Sequence, residues 1–348
     1  MLKKGVECST PFFSCKNSSL CYHKHVLTDT GFRDAKEKKM AFLRVLEGLR
    51  TPLMDEIMAL LTHLGSETVF LVAALFVFWC INKREGYYLM TVGFCGTIIN
   101  QFCKLWFRIP RPWVLDPEFT IVEAARADAT GYSFPSGHTQ SAVGTFGSLA
   151  CMTKSGLFRA LCVLIAVVVP FSRMYLGVHT PLDVGVAALT ALVLVFGLRP
   201  LFREEHNKKH NGKLYGLLFV LVAFSVLFVL FVELYPFPAD IDPHNLASGN
   251  KNAWTLLGST LGVLLAYWLD EEYIGFETEA VWWAQGLKLI LGAAVVLAVK
   301  TFLKAPLMTL LNGHGAAHAI RYFAVVVVAG AVWPISFSVF SHMGRRRR

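Results

Sequence analysis

Charged residues are scarce in this sequence. Asp, Glu, Lys and Arg together make up 16% of the 348 residues, whereas about a quarter of the residues of a soluble globular protein are charged. Hydrophobic residues account for 55%, and the mean hydropathy is +0.50. This shortage of charge argues against a soluble domain and predicts a polytopic membrane protein.

The first 39 residues lack an apolar stretch of the kind found at the centre of a secretory signal. They are polar, basic and without hydrophobic periodicity, so we expect residues 1–39 to be disordered. Three of the eight cysteines lie here beside two histidines, but their spacing matches no standard zinc pattern. No metal site is therefore predicted in this segment.

Nine apolar segments are long enough for helices that cross a bilayer, each of which needs about 20 mostly apolar residues. They lie near residues 66–82, 87–107, 138–154, 157–175, 181–200, 213–235, 253–270, 282–302 and 319–341. The predicted fold is all-α, a polytopic membrane helix bundle of about nine spans. Residues 41–64 are amphipathic, and their charges and proline favour one or two helices lying along the membrane interface.

The chain divides into three parts by composition. Residues 1–39 form the basic N-terminal segment, and residues 40–202 carry the amphipathic stretch and the polar motifs described below. Residues 203–213 are charged and separate this core from a C-terminal part, 203–348, that contains further apolar segments and ends in a basic tail. No internal repeat relates the parts to one another.

The distribution of lysine and arginine predicts the orientation, because cytoplasmic loops of membrane proteins are enriched in these residues. One face of the predicted bundle carries Lys83, Arg84, Lys154, Arg159, Arg203, Lys208, Lys209, Lys213 and Arg345 to Arg348. We expect that face to be cytoplasmic. The motif face is then extracytoplasmic if the membrane is a bacterial cell membrane, or luminal in a eukaryotic cell. The basic N-terminus is an exception, because nine spans put it on the outer face. The alternative is that residues 41–64 cross the membrane, which removes the exception.

Reactive side chains are concentrated between two of the long apolar runs, where the chain contains Arg173, His179 and Asp183. Thr180 and Pro181 have the pattern of an N-cap and a first helical residue. Asp183 then falls in the first helical turn, near enough to accept a proton from the imidazole of His179. A carboxylate there fixes the tautomer and leaves the other ring nitrogen as a nucleophile. The alternative is a polar interfacial loop with a satisfied histidine.

Two further polar segments lie on the same predicted face. Lys104 and Arg111 end one apolar run, and Ser136, Gly137 and His138 open another. The lysine and the arginine add two cations to the arginine of the first stretch, and charges near a membrane are costly and therefore usually functional. The serine and glycine stand at a helix start, where free N–H groups bind anions. Singly, each residue has an ordinary explanation, but together they supply the parts that phosphoryl transfer requires.

The three segments together resemble the three-part signature of the type 2 phosphatidic acid phosphatase superfamily. That signature is Lys and, after six residues, Arg-Pro; then Pro-Ser-Gly-His; then Ser-Arg with five residues before His and three more before Asp. This sequence matches it at every position and in the same order. The resemblance covers residues 40 to 200 and implies a membrane-bound lipid phosphatase.

The resemblance also implies a role for each motif residue. His179 attacks phosphorus and forms a phosphohistidine, Asp183 orients that histidine, and His138 protonates the leaving group. The remaining motif residues bind the phosphate, namely Lys104, Arg111, Ser136, Gly137 and Arg173. Water then hydrolyses the intermediate, and neither a metal nor another cofactor is required.

The implied substrate is a lipid phosphomonoester or diphosphate. The segment Gly-Ser-Glu-Thr-Val-Phe at 65–70 and the spans after the core resemble the sphingosine-1-phosphate phosphatase group. A polyprenyl diphosphate phosphatase of carrier-lipid recycling is the close alternative, and a glucose-6-phosphatase-like activity is a more distant one. A catalytically inactive transporter or scaffold is the alternative from another class, but such a protein would be free to lose His179 or Arg173.

The expected partners are the lipid phosphate substrate and membrane lipids. The formal charge of +9 is explained by cytoplasmic loops and headgroup contact, so nucleic acid is not expected as a partner. The loop 108–137 lies directly over the motif residues, and we expect it to form a lid or to guide substrate access.

Overall fold

The computed structural model describes residues 40–203 and 212–343 of the chain. These residues are helical and contain no β-strand, which confirms the predicted all-α class. The helices are α1 (40–48), α2 (Pro52–Thr62), α3 (Glu67–Phe76), α4 (Lys83–Phe107), α5 (Pro112–Leu115), α6 (Gly137–Met152), α7 (Gly156–Tyr175), α8 (Pro181–Arg203), α9 (Gly212–Leu234), α10 (Pro243–Leu269), α11 (Trp282–Phe302), α12 (Lys304–Leu310), α13 (Ala316–Val327) and α14 (Phe337–His342). The predictions for residues 1–39 and for the basic tail 345–348 fall outside the described residues.

Five helical stretches in the described part of the chain are long and apolar enough to cross a membrane. They are Gly156–Tyr175, Pro181–Phe202, Gly212–Leu234, Trp282–Leu310 and Ala316–His342. A sixth is formed if α2 and α3 are taken as one span that bends by 47° where they meet. The protein is therefore a polytopic membrane protein, but the prediction of nine spans is not confirmed.

Three of the predicted spans, α4, α6 and α10, are helical where expected but are not among these stretches. α6 has 16 residues and buries polar side chains such as Gln140 and Ser148. α4 begins with charged residues and buries Asn100 and Lys104. Neighbouring helices pack around α4 and α6 and cover these groups. A helix shielded in this way does not need the uniform apolarity of one that faces lipid.

Polar caps fix where several helices begin. The Asn82 side chain accepts hydrogen bonds from the backbone N–H groups of Arg84 and Glu85 at 2.9 and 3.2 Å. Because α3 continues as a π-helical turn to Ile81 and α4 begins at Lys83, the capping residue Asn82 is the whole connection between them. Ser136 caps α6 in the same manner. Side-chain caps satisfy N–H groups that a helix start leaves free.

α4 is the central helix of the bundle and packs against α6, α8, α9 and α10. Near its first turn, Lys83 pairs with the buried Asp270 at 2.8 Å, and Glu85 forms a two-pronged ion pair with Arg199 of α8. The Tyr88 hydroxyl donates to the backbone carbonyl of α8 at residue 195, at 2.6 Å. These contacts fix the start of α4, so the position of its far end is well defined.

The C-terminal helices are attached through a close crossing of α10 and α13. A Cβ atom on Gly258 would lie 2.0 Å from the carbonyl oxygen of Ala319, and one on Gly262 would lie 2.8 Å from the Cβ of Val326. Small residues four apart on a helix let two backbones approach closely, and packing then stabilises the pair. α10 also packs against α4, so the crossing connects α13 to the rest of the bundle through α10.

The N-terminal helices hold the long loop 108–136 in place. Arg44 of α1 pairs with Asp116 at 2.7 Å. Arg50, just after α1, donates to the carbonyl oxygens of Thr120 at 2.8 Å and Tyr175 at 3.0 Å. The prediction of one or two helices before the first span is confirmed by α1 and α2, and their place along the membrane interface stays a prediction. The loop thus closes one end of the bundle.

We predict that Gly258→Val lowers the melting temperature of the detergent-solubilised protein by several degrees. The added side chain cannot fit against α13, and overpacking of this kind costs about 1–3 kcal/mol. Gly286→Val on α11 is the matched control, because no atom lies within 4 Å of a Cβ added there. Thermal unfolding followed by intrinsic fluorescence makes the comparison. Equal melting temperatures for the two variants would contradict the crossing described here.

Candidate active site

The three polar segments predicted from the sequence meet at the end of the bundle covered by the long loop. Lys104 comes from the last turn of α4, Arg111 from the loop and His138 from the first turn of α6. Arg173 lies in the last turn of α7, and His179 lies in the connection to α8. Electrostatic interactions link His179 to each of the other four side chains. The predicted site residues therefore form one cluster.

Consecutive backbone carbonyls hold two of the cations. The Arg111 guanidinium donates to the oxygens of Thr130 at 2.7 Å and Gly131 at 3.1 Å, and the Lys104 ammonium donates to the oxygen of Tyr132. Gly131 has a φ of +68°, in the left-handed region that glycine adopts without strain. This turn directs carbonyl dipoles at cations that are each only 6% exposed. The carbonyl dipoles compensate part of the positive charge of Lys104 and Arg111, but both side chains remain cations.

Arg173 is less completely compensated. Its side chain is fully buried, and its Nη1 donates to the Thr62 hydroxyl at 2.9 Å. Its Nε and Nη2 are buried and have no hydrogen-bond partner. Unpaired buried donors cost free energy, and for a charged group the cost is larger. Such a group is expected where an anionic ligand completes the pairing.

The contact between Arg111 and His179 identifies the protonation state of the histidine ring. Nη1 of Arg111 lies 3.0 Å from Nε2 of His179. A guanidinium can only donate hydrogen bonds, so Nε2 must carry a lone pair. The proton of the neutral ring is then on Nδ1. Nε2 is the atom that is free to act as a nucleophile when Arg111 turns its donor toward another acceptor.

Burial lowers the pKa of the His179 imidazole well below its usual range, and Arg111, Arg173 and Lys104 lower it further because cations disfavour a second positive charge. The ring is therefore neutral at pH 7. A neutral imidazole keeps the lone pair that nucleophilic attack requires.

Asp183 lies beside the protonated nitrogen, as predicted, although at a longer distance. Its Oδ2 is 3.6 Å from Nδ1 of His179, which is too long for a hydrogen bond. The same oxygen accepts hydrogen bonds from the Ser133 hydroxyl at 2.6 Å and the Thr180 backbone N–H at 2.8 Å. α8 begins at Pro181, and the Thr180 hydroxyl accepts a hydrogen bond from the backbone of Asp183, which confirms the predicted cap. The carboxylate is fixed, and a small movement of the ring would bring it into contact.

The start of α6 supplies backbone donors and a second histidine. The Ser136 hydroxyl caps the helix, and its own N–H donates to the Asp183 carbonyl oxygen at 3.1 Å. The N–H groups of Gly137 and His138, the first two of the helix, have no partner within it. Nε2 of His138 is buried and unpaired. The helix start therefore offers two backbone donors and one imidazole to a ligand.

Four contributors to the site were not identified from the sequence. They are Thr62, which binds Arg173, Ser133, which binds Asp183, the carbonyls of residues 130–132, and Asn100, whose buried Nδ2 donates to the Pro135 carbonyl at 3.3 Å. Asn100 precedes Lys104 by one helical turn, so spacing on α4 could have indicated it. The others depend on loop geometry, for which the sequence carries no periodic signal.

The arrangement suits a tetrahedral anion. Three buried cations, unpaired donors and a neutral imidazole surround one position, and these are the groups that stabilise a phosphoryl group during transfer. In the described residues, no three His, Cys, Asp or Glu side chains converge in a way that could hold a metal ion.

Comparison with known families agrees with this geometry. A sequence profile of the PAP2 superfamily matches residues 84–207, which include all the motif residues. A second profile, described as the PAP2 superfamily phosphatase, transmembrane extension, matches residues 254–345. The resemblance read from the motifs is therefore confirmed, and the extension accounts for the C-terminal helices. No solved structure gives a significant match.

The relatives with curated names are phosphatases of lipids. Undecaprenyl-diphosphatase BcrC of Bacillus subtilis is 29% identical over 147 residues, which are 41% of this chain and 72% of that protein. A probable sphingosine-1-phosphate phosphatase of Dictyostelium discoideum is 24% identical over 253 residues, 68% of this chain and 59% of that protein. Sphingosine-1-phosphate phosphatase 2 of Mus musculus is 24% identical over 215 residues, 60% of this chain and 56% of that protein.

We predict that inorganic phosphate raises the melting temperature of the wild-type protein and not that of Arg173→Met. Without phosphate, Arg173→Met should be at least as stable as wild type, because the substitution removes two unpaired buried donors. Arg159→Met, at the opposite end of α7, is the control and should respond to phosphate like wild type. Thermal unfolding with and without phosphate measures all three. A phosphate response that persists in Arg173→Met would contradict the assigned site.

Proposed function

The chain belongs to the PAP2 superfamily, and we propose that it is a membrane lipid phosphatase that works through a phosphohistidine at His179. The observation that carries the proposal is the buried Arg173 guanidinium with two unpaired nitrogens, in a cluster with Lys104, Arg111 and a neutral His179. A phosphate would satisfy these donors at once. His179 then acts as the nucleophile, and His138 transfers the protons.

In the first step, Nε2 of His179 attacks phosphorus. The N–P bond forms as the bond between phosphorus and the leaving oxygen breaks. Burial and the neighbouring cations lower the pKa of the His138 imidazole to about 3 in the protein alone, so the substrate supplies the proton. The phosphate brings in negative charge that offsets the cations, His138 takes up the proton of the phosphate, and the ring then gives that proton to the leaving oxygen. Asp183 stabilises the positive charge that develops on the His179 ring through Nδ1. Lys104, Arg111 and Arg173 hold the three phosphoryl oxygens, where charge is spread in the transition state.

In the second step, water displaces the histidine. His138, now neutral, takes a proton from the water as the O–P bond forms and the P–N bond breaks. Phosphate takes up that proton and leaves, and both histidines return to their starting states, so one residue serves as acid in the first step and as base in the second. Neither step calls for a metal ion, because the three cations supply the charge.

We infer that the substrate is a lipid because of where the site lies. Arg173 and Asp183 lie at the ends of two candidate spans, Gly156–Tyr175 and Pro181–Phe202. A lipid at headgroup depth could place its phosphate among the cations while its tail stays in the bilayer. By the distribution of basic residues we assign this face to the extracytoplasmic or luminal side.

A long-chain lipid phosphomonoester is the first candidate, and a polyprenyl diphosphate is the second. The alignments with proteins named sphingosine-1-phosphate phosphatase cover 60–68% of this chain, whereas those with undecaprenyl-diphosphatases cover 38–41%. The longer alignments favour the monoester. The undecaprenyl-diphosphatases share the higher identity of 29%, which keeps the diphosphate as the second candidate.

The mechanism predicts a phosphoenzyme that can be trapped in His138→Asn. With p-nitrophenyl phosphate, whose leaving group needs no protonation, this variant should still form the phosphohistidine. It should hydrolyse the intermediate slowly, because it lacks the base, so acid-labile and base-stable phosphate should accumulate on the protein. His179→Ala should form no phosphoprotein and should lose turnover by at least about a thousandfold, a typical loss for a nucleophile.

His342→Ala, an exposed histidine of α14, is the control for this experiment and should behave like wild type. All reactions contain EDTA. Phosphate release by His179→Ala at the wild-type rate would overturn the mechanism, and activity that appears only when Mg²⁺ is restored would overturn its metal independence.

The substrate assignment predicts that sphingosine 1-phosphate is hydrolysed with a kcat/KM at least about a hundredfold above that of glycerol 3-phosphate. A net burial of roughly four CH₂ groups, at about 0.8 kcal/mol each, is sufficient for this difference. Sealed vesicles of known protein orientation, with the lipid confined to one leaflet, measure both selectivity and side. Equal efficiency with glycerol 3-phosphate, or cleavage only from the leaflet on the side of Lys154 and Arg159, would contradict the assignment. A polyprenyl diphosphate tested in the same vesicles distinguishes the two lipid candidates.

A further inference from the structure

A second basic cavity lies in the C-terminal part, outside the motif residues. It has a volume of about 430 Å³ and is formed by the first turns of α10 and the loop that precedes α13. Its walls consist of Pro243, Leu246, Ala247, Asn250, Lys251, Gly313, Gly315 and His318. One wall is thus apolar and the other polar and basic. Ligand cavities in proteins commonly measure about 300–1,000 Å³.

Lys251 lies in the polar wall, and two further cations lie near His318. Lys251, Lys304 and Arg321 all act electrostatically on His318. Arg321 is 5% exposed, its Nε is buried without a hydrogen-bond partner, and its Nη2 lies 3.3 Å from Nδ1 of His318. A buried arginine without a carboxylate partner in an apolar helix is costly, and such residues usually serve a ligand.

The contact with Arg321 also determines which ring nitrogen of His318 carries the proton. The guanidinium donates, so Nδ1 of His318 is the acceptor and Nε2 of the neutral ring carries the proton. His318 therefore presents an N–H donor. Lys251 contributes an ammonium, and the Asn250 amide lies beside it. These are the groups that recognise a phosphate oxygen.

Specific contacts hold the cavity wall in shape. The indole ring of Trp254 lies so close to Gly315 that a Cβ atom there would be 2.1 Å from the indole Cδ1. Glu233 accepts hydrogen bonds from the Trp254 indole at 2.8 Å and from the Asn250 amide at 2.7 Å. This carboxylate is already engaged by neutral donors. Asp242, whose side chain caps the first turn of α10, is a second carboxylate near the cavity. Lys251, Lys304 and Arg321 are the three cations that act on His318.

The position of the cavity identifies the source of a phosphate. The candidate span that ends at Leu310 and the one that begins at Ala316 both terminate beside the cavity, and α9 ends close by at Leu234. Span ends lie at the depth of lipid headgroups, so a cation in a pocket there is within reach of a headgroup phosphate. The apolar wall around Leu246 suits the first carbons of a lipid chain. A freely dissolved anion would gain no free energy from contact with an apolar wall, whereas a lipid chain would.

We propose that this cavity binds the phosphate of an anionic phospholipid headgroup, at a site separate from the catalytic centre. The phosphate oxygens contact Lys251 and His318, with Arg321 behind the histidine, and the glycerol and first chain carbons lie against Leu246. The site is assigned from its own residues, so it does not depend on the catalytic role proposed above.

Native mass spectrometry of the full chain in detergent tests the proposal, with phosphatidylglycerol and phosphatidylcholine as probes. Phosphatidylglycerol is a phosphodiester, so a phosphomonoesterase does not consume it. We expect wild type to retain phosphatidylglycerol in preference to phosphatidylcholine. Lys251→Gln and Arg321→Gln should each weaken that binding about tenfold, the value of one lost charge-assisted hydrogen bond of about 1.4 kcal/mol. Arg159→Gln, an exposed arginine at the start of α7, should bind like wild type.

Each of the following results either supports or overturns the proposed lipid site. Lys251 is exposed, so Lys251→Gln still tests the site if Arg321→Gln fails to fold. Unchanged phosphatidylglycerol binding in Lys251→Gln, or equal retention of the two lipids by wild type, would overturn the proposal. Inorganic phosphate is added to the Arg173→Met variant, whose catalytic centre is disabled. Displacement of the lipid by millimolar phosphate would support phosphate recognition and overturn the lipid as its source.

Discussion

Buried positive charge is the constraint on which the motif end of this bundle depends. Lys104, Arg111 and Arg173 lie together and nearly without solvent contact, and like charges in such surroundings repel strongly. The fold does not neutralise them with an equal number of carboxylates. It supplies backbone carbonyls, from a turn at residues 130–132. Carbonyl dipoles reduce the cost of the charge without cancelling it, so affinity for an anion is retained.

The compensation of the cations by backbone carbonyls accounts for the length of the loop 108–136, which carries these carbonyls. The turn must stay in place against the cations, and Arg44 of α1 and Arg50 just after it secure the loop. Thr62 of α2 accepts a hydrogen bond from Arg173. The buried polar site also explains the composition of α4 and α6. These helices carry the polar groups of the site, so more apolar helices must surround them and separate those groups from lipid. The five candidate spans, all outside α4 and α6, are consistent with that division.

The sequence predicted the helical class, the helix at each apolar segment and the motif residues, because periodicity and spacing are local signals. It did not predict the number of spans, since a hydrophobic window cannot tell a helix that faces lipid from α6, which other helices cover. It also missed Ser133 and Thr62. Their hydroxyls reach Asp183 and Arg173 across 50 and 111 residues of chain. Nothing in the local sequence shows which distant side chain a serine or threonine hydroxyl will bind. The spacing of four residues between His179 and Asp183, by contrast, is a local signal that the two side chains lie together.

α4 lies between the motif cluster and the first turns of α10, which line the basic cavity of the C-terminal part. The α10 residues that follow the cavity lie on the last turns of α4: Gly249 has no room for a side chain against Leu105, and the Asn252 amide donates to Gln101 at 3.0 Å. Leu105 adjoins Lys104, which holds the loop carbonyl. Close-packed interiors transmit small displacements because no free volume absorbs them. The first turns of α10 and the end of α4 that carries Lys104 are therefore in direct contact, and a displacement of one of these helices reaches the other.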